Sequence, residues 1–400
     1  MNGLVQLLEA PLAVSVFCIA AELAGRWWLR RFGAYYVWPP GLKLHLRPDP
    51  AVFPELERWA RIEINADGER GAPVPRSRRG LYRVLVAGGS PVECLLLDQP
   101  TSWPGALQRL LEAPGPRRRL AATRVHVGNV GLSGVTAQSL NVILKRILPR
   151  YCHLDLIVIM VGGSDVFGWL TKGAPRFFEP PAISTGELFR SNPEGPFGWS
   201  PRRLAMIRLL QRFRMRWWRP VKVREGAGKW VGQARAMRAR AKEIRTAVPE
   251  PTAMLRLFED QLRELLGNAK RHADRVLVVR QPWFETDYTP EDLAHLWHGA
   301  VGDPLRGEVS IYYSAEILCR LMALVSARAA DVADDLGVEH LDLGLSLERS
   351  LNPFYDFVHF TPAGAAVVAE AVAAAILLRP VSVRNAVDLS ARAPRAPVSS

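Results

Sequence analysis

At 400 residues, with 48% hydrophobic and 23% charged residues, the chain has the composition of a folded protein with a sizeable core, which excludes disorder over most of its length. Lys and Arg number 52 against 39 Asp and Glu, a formal net charge of +13; fifteen Lys/Arg between Arg202 and Arg245, against Glu225 and Glu243, equal that whole excess. The charge therefore belongs to one segment, and the four cysteines (Cys18, Cys94, Cys152, Cys319), with no C-x-x-C pair, offer neither a zinc site nor a disulfide framework.

Residues 1–31 form the first predicted element. Ala10 to Ala21 carries no charge, and Glu22, Arg26, Trp27, Trp28, Arg30 and Arg31 follow it. A spanning helix needs about 20 apolar residues, which Leu4 to Leu29 supplies if Glu9 and Glu22 sit near the interfaces. No small-residue cleavage site follows a basic start, so a retained anchor is preferred to a removed signal peptide, with an amphipathic helix on the membrane or on the protein as the alternative. Residues 32–80, with seven prolines and short apolar runs, read as a small irregular or β-rich lead-in.

From residue 81 to 378 the pattern alternates. Arg83–Ala87, Arg124–Val127, Leu154–Val161, Arg275–Val279 and Val338–Leu341 read as short buried strands. Trp103–Leu111, Thr136–Leu148, Thr252–His272, Val309–Leu336 and Pro362–Leu378 have helical spacing. Five β-then-α units predict a three-layer α/β/α domain on a parallel five-stranded sheet, with ligands outside the carboxyl ends of the strands. A long insertion, 166–248, interrupts the pattern: its first part reads as loop, its second is the basic stretch. The tail 379–400 lacks apolar periodicity and is expected to be disordered.

Residues suited to chemistry fall just after strands. Gly88-Gly89-Ser90 follows the first strand, so two glycines allow a sharp turn and leave the Ser90 hydroxyl at the open end of the sheet. Its partner is sought in Asp356-Phe357-Val358-His359-Phe360-Thr361-Pro362. An Asp three residues before a His can hold imidazole Nδ1–H while Nε2 faces the serine, and Thr361 and Pro362 suit the N-cap and first position of the following helix. Oxyanion donors are offered by Asn129–Thr136 and by Gly162-Gly163-Ser164-Asp165, with Gly134 able to give a backbone N–H unobstructed by a side chain. Ser133 and Ser164 do not stand in G-x-S-x-G, which disfavours an α/β-hydrolase elbow. His295 and His298, three apart without a third ligand nearby, read as a surface or cleft-rim pair; His126, His153, His272 and His340 read as packing or surface residues.

Together these segments resemble the SGNH/GDSL hydrolase superfamily over roughly residues 60–378. Gly88-Gly89-Ser90 matches the first motif, Asn129–Thr136 the pattern N-x-G-x-S-G-x-T, and Asp356–Gly364 the pattern D-x-x-H-F-T-x-x-G; Trp103-Pro104 is also familiar in bacterial members. The resemblance implies a flavodoxin-like fold, Ser90 as nucleophile, Asp356 and His359 as its acid–base partners, and the N–H groups of Ser90 and Gly134 as oxyanion donors, with no metal or organic cofactor. At one position the chain departs from the pattern: Ser164 stands where the family has the Asn of Gly-Gly-Asn-Asp, so a hydroxyl replaces a side-chain amide.

The implied activity is hydrolysis of a carboxylic ester, on a small molecule, a glycan or a lipid. The same residues would serve an acyltransferase, and a catalytically weak membrane-associated glycan- or lipid-binding protein is the rival reading. For the basic stretch, 202–245, a cap helix packed over the domain comes first, an amphipathic helix on an anionic membrane second, and nucleic acid is not expected, because no nucleic-acid motif accompanies the charge. Arg26, Arg30 and Arg31 favour a cytoplasmic domain by the positive-inside rule, whereas relatives with such a helix act on envelope substrates; an envelope-facing domain at the inner membrane is the expectation taken here.

Overall fold

The computed structural model describes residues 2–378 apart from Pro180, Pro196, Trp199, Trp218, Arg219 and Leu345; the tail 379–400 lies outside the described residues. In chain order the strands are β1 (Lys43–Pro48), β2 (Ala60–Glu63), β3 (Leu81–Gly88), β4 (Arg124–Asn129), β5 (Leu154–Met160), β6 (Val221–Ala227), β7 (Glu243–Arg245), β8 (Ala273–Arg280), β9 (Ile311–Tyr313) and β10 (Glu339–Asp342). The helices are α1 (Asn2–Phe32), α2 (Ser90–Glu93), α3 (Trp103–Glu112), α4 (Pro114–Arg119), α5 (Ala137–Ile147), α6 (Gly163–Thr171), α7 (Thr185–Leu188), α8 (Ala205–Trp217), α9 (Lys229–Ala239), α10 (Thr252–Lys270), α11 (Pro290–Ala294), α12 (Ala315–Asp335) and α13 (Pro362–Leu378).

Five strands form the main sheet in the order β10–β8–β5–β3–β4, every neighbouring pair parallel. This is the flavodoxin-like doubly wound order, in which the chain leaves the first strand in one direction and returns to its other side, so that a crevice opens between β3 and β5. The sequence dictates which strand lies at the centre: Leu156 to Met160 is apolar without alternation and wholly buried, as a strand covered on both faces must be. On one face α3 packs against α13; on the other α10 packs between α5 and α12. Ser102, Thr136 and Ser314 each accept a backbone N–H of the first turn of their helix and so fix where α3, α5 and α12 begin.

Two expectations are corrected. The helix expected from Val309 begins at Ala315, because Ile311–Tyr313 pairs in parallel with Glu243–Arg245 to make a separate two-stranded sheet. The stretch expected to be loop from Val166 is helical to Thr171 in α6.

The proline-rich lead-in is built around a small sheet of order β2–β1–β6, whose third strand comes from the insertion. Leu44, Leu46, Ala60 and Ile62 point inward onto Phe53, Leu96, Val231 and Tyr355, so this sheet and α9 pack beside the loop that carries Asp356. Beneath it Glu69, almost wholly buried, accepts from Arg83 of β3 (3.0 Å) and meets His126 of β4 (2.9 Å).

Within the basic stretch, α8 packs on α1, whereas α9 lies against the loop that carries Asp356. Glu22 of α1 accepts the backbone N–H groups of Ala205 and Met206 (2.9 and 3.1 Å), and a Cβ on Gly25 would stand 3.2 to 3.4 Å from Met206, Leu209 and Ala205. Pro11–Phe32 is long and apolar enough to cross a membrane, and most of it is exposed, including Leu12, Val16, Phe17 and Trp27.

Candidate active site

The turn after β3 is shaped by contact. A Cβ on Gly88 would lie 2.1 Å from the Met160 carbonyl oxygen and 2.6 Å from Val92, so only glycine lets β3 approach β5 this closely. Ser90 then opens α2, where its N–H has no carbonyl four residues back to reach. Its hydroxyl lies 2.7 Å from His359 Nε2.

His359 is held from behind by its own loop. Phe354 and Phe360 form a bridge, Tyr355 N–H donates to the His359 carbonyl (3.0 Å), and Asp356 sits at the loop's centre with no exposed surface. Asp356 Oδ1 accepts the backbone N–H groups of Val358 and His359, both at 3.0 Å, and Nδ1 of His359 lies 2.9 and 2.7 Å from Oδ1 and Oδ2. Trp297 Nε1 donates to Oδ2 at 2.9 Å. Burial alone would push this carboxyl up. The interaction with the His359 ring, together with the hydrogen bonds from His359 and Val358, overcomes it and holds Asp356 well below the usual carboxylate range.

The loop after β4 lies against this turn. Asn129 donates to the Val92 carbonyl (2.8 Å) and accepts Gly131 N–H (2.7 Å), and Glu93, buried at the end of α2, accepts the N–H (2.6 Å) and the hydroxyl of Ser133. Burial raises the Glu93 carboxyl above its ordinary value, against the opposing Ser133 bonds. Gly134 follows with φ +77 and nothing within 4 Å of a Cβ position, so it is open to solvent. Among the described residues no acceptor takes the N–H of Ser90 or of Gly134. Ser164 opens α6 from the other side: a Cβ on Gly89 would meet Val135 O at 3.5 Å and Ser164 Oγ at 3.7 Å. Asp165, next along, accepts Ala137 N–H at 3.1 Å, and burial raises its carboxyl to about 7.

The sequence-predicted residues Ser90, Asp356 and His359 are thus joined in one hydrogen-bonded chain, with Gly134 on the loop after β4 and Ser164 in the first turn of α6 beside it. His298 is corrected. Expected at a surface or cleft rim, it is buried against Trp297, Phe167 and Phe357, its ring 5.8 Å from that of His359; burial drives it down to about 3, so it is neutral. Sequence reasoning missed Trp297, Glu93 and Arg70, whose buried guanidinium donates to the carbonyls of Glu93, Cys94 and Leu97. It also treated Arg235 and Arg238 as part of a basic surface, whereas both guanidinium groups turn inward onto backbone carbonyls. No motif marks these residues, because their partners lie far away in sequence.

Two groups of metal-capable side chains occur among the described residues: His298 with Asp356 and His359, and the largely exposed His153, Asp155 and Asp274. In the first, Asp356 and His359 already spend on each other the atoms a metal ion would need. The geometry as a whole can activate a hydroxyl and stabilise an oxyanion.

No protein-family model and no curated protein matches the chain. Among solved structures it is similar to Axe2, an acetylxylan esterase from Geobacillus stearothermophilus, at 14% identity and a TM-score of 0.39, covering 74% of this chain and 94% of that one. It is similar at the same identity and coverage, with a TM-score of 0.40, to LAE5, an alpha/beta hydrolase from the metagenome of Lake Arreo, Spain. Likenesses at this level carry no argument about chemistry, which rests on the residues themselves.

Proposed function

We propose that this chain is a serine esterase of the SGNH/GDSL kind, acting on a carboxylic ester through an acyl-enzyme. The observation that carries the reading is the unbroken chain from Ser90 Oγ through His359 to Asp356, with steps of 2.7 Å at each bond. As Ser90 Oγ attacks the ester carbonyl, His359 Nε2 takes its proton, and Asp356 stabilises the imidazolium that forms. The N–H groups of Ser90 and Gly134, helped by the Ser164 hydroxyl, receive the developing oxyanion. His359 then returns the proton to the leaving alcohol, and water activated by the same imidazole releases the acid.

The substrate class proposed is an O-acyl group on a glycan or a lipid. An acceptor hydroxyl in place of the water would make the same site an acyltransferase. α1 is proposed as a membrane anchor with the domain on the envelope side. What supports the anchor is its length: 31 helical residues extend about 46 Å at 1.5 Å per residue, more than the roughly 30 Å of hydrocarbon.

The test is the release of p-nitrophenol from p-nitrophenyl acetate by the full chain in detergent, beside Ser90→Ala, together with labelling by a fluorophosphonate. Turnover and labelling that both vanish in Ser90→Ala would establish the nucleophile. An unlabelled parent that turns over no ester would sink the esterase reading in favour of a binding protein.

A further inference from the structure

Between β8 and α12 the chain makes a long excursion, and the segment His295–His298 within it is held with unusual thoroughness. α11, just before it, starts with a capping box in which Thr289 and Asp292 satisfy each other's backbone N–H groups. On either side of Trp297 a carbonyl is clamped by a guanidinium of α9: Arg235 donates to His295 O (3.0 Å) and Arg238 to His298 O (2.6 Å). Arg235 reaches the other loop as well, donating to Tyr355 O at 2.6 Å, so one side chain binds the backbone beside Trp297 to the backbone beside Asp356. The indole is boxed by Trp230 edge-on at 5.0 Å and by the His298 ring at 3.9 Å.

All this rigidity delivers one atom. Trp297 Nε1 reaches Asp356 Oδ2, the oxygen nearer to His359 Nδ1, whereas the two backbone N–H groups of the Asp356 loop both go to Oδ1. Without the indole, Oδ2 would have no donor except the imidazole it must orient, and the carboxylate plane would be free to rotate.

We propose that Trp297 is a positioning residue of the site, fixing the Asp356 carboxylate so that His359 keeps its Nε2 on Ser90. The inference rests on the reading of Ser90, Asp356 and His359 as catalytic. The other titratable or charged groups facing this pair are His298, Arg235, Glu93 and Tyr355, all of which the substitution leaves in place.

The experiment uses the full chain in detergent and the variant Trp297→Phe, which keeps an aromatic ring and loses the N–H. Expected are a roughly tenfold fall in kcat for p-nitrophenyl acetate at unchanged KM and a shifted downfield proton resonance of His359 Nδ1–H, at an unchanged melting temperature. Parental kcat and resonance in the variant would overturn the proposal. Should Trp297→Phe fail to fold, Trp297→Tyr fills the site differently, also lacks the indole N–H, and is read by the same measurements. A parent that fails to label with fluorophosphonate sinks the catalytic reading instead; the downfield resonance does not need turnover, and its response to the substitution still decides whether Trp297 holds the Asp356–His359 pair.

Discussion

Ser164 is one bond shorter than the asparagine whose place it takes in the Gly-Gly-Asn-Asp pattern, and its hydroxyl hangs beside Gly89 at the edge of the turn that carries Ser90. Loss of one oxyanion donor costs about 10²–10³ in rate in well-studied hydrolases. Ser164→Asn is therefore expected to raise kcat on p-nitrophenyl acetate by about tenfold or more, read in steady-state kinetics against the parent; an unchanged or lower kcat would mean that substrate reaches the hydroxyl directly. At this scale the candidate site was legible wherever its parts are local. Asp356 and His359 stand three residues apart on one loop, and Ser90 follows a strand and two glycines. Trp297 and Glu93 were not legible, because an indole donor and a buried carboxyl look like any others until distant loops meet. His298 was misread for the same reason: its burial comes from Phe167 and Phe357, not from its neighbours in sequence.

The elements of the main sheet were legible because each strand is a short apolar run and each following helix carries its own start signal. The insertion was not. Its Val221, Val223 and charged neighbours make an edge strand whose partner, β1, lies far back near the N-terminal end of the chain, and Arg235 and Arg238 turn inward although their composition reads as surface. The lead-in is fastened to the main sheet through Glu69. Burial alone would raise this carboxyl, but its hydrogen bond with His126 and the nearby Arg83 hold it down at about 2 against an ordinary 4.5. A depressed carboxyl stabilises the fold above its unfolded value and loses that contribution as pH falls from about 4.5 towards 2, which for this difference is roughly 3 kcal/mol. Glu69→Gln is accordingly expected to lower stability by about 3 kcal/mol at pH 7, and by progressively less in acid, as measured by urea unfolding across that range. A deficit that does not shrink below pH 4.5 would show that the charge is not what binds these elements.

Taken whole, the molecule joins its apolar N-terminal helix to the insertion through a small contact. Glu22 accepts the first two N–H groups of α8, and Gly25 lets the two helices approach. Loss of such a cap costs about 1 kcal/mol. Glu22→Ala is expected to leave p-nitrophenyl acetate turnover unchanged while trypsin cuts faster among the arginines between Arg202 and Arg214, followed by mass spectrometry; unchanged cutting would mean that α8 is held without α1. Removal of residues 1–31 would strip this contact away together with α1. The small sheet carries a different consequence, one of synthesis. β1 and β2 leave the ribosome early, but the strand that completes them begins only at Val221. At 5–20 residues per second the interval from Pro48 to Val221 is roughly ten to thirty seconds, during which β1 offers an unpaired edge to any passing strand. Nascent chains halted before Val221 should therefore depend on chaperones in a way that chains halted after Ala227 do not.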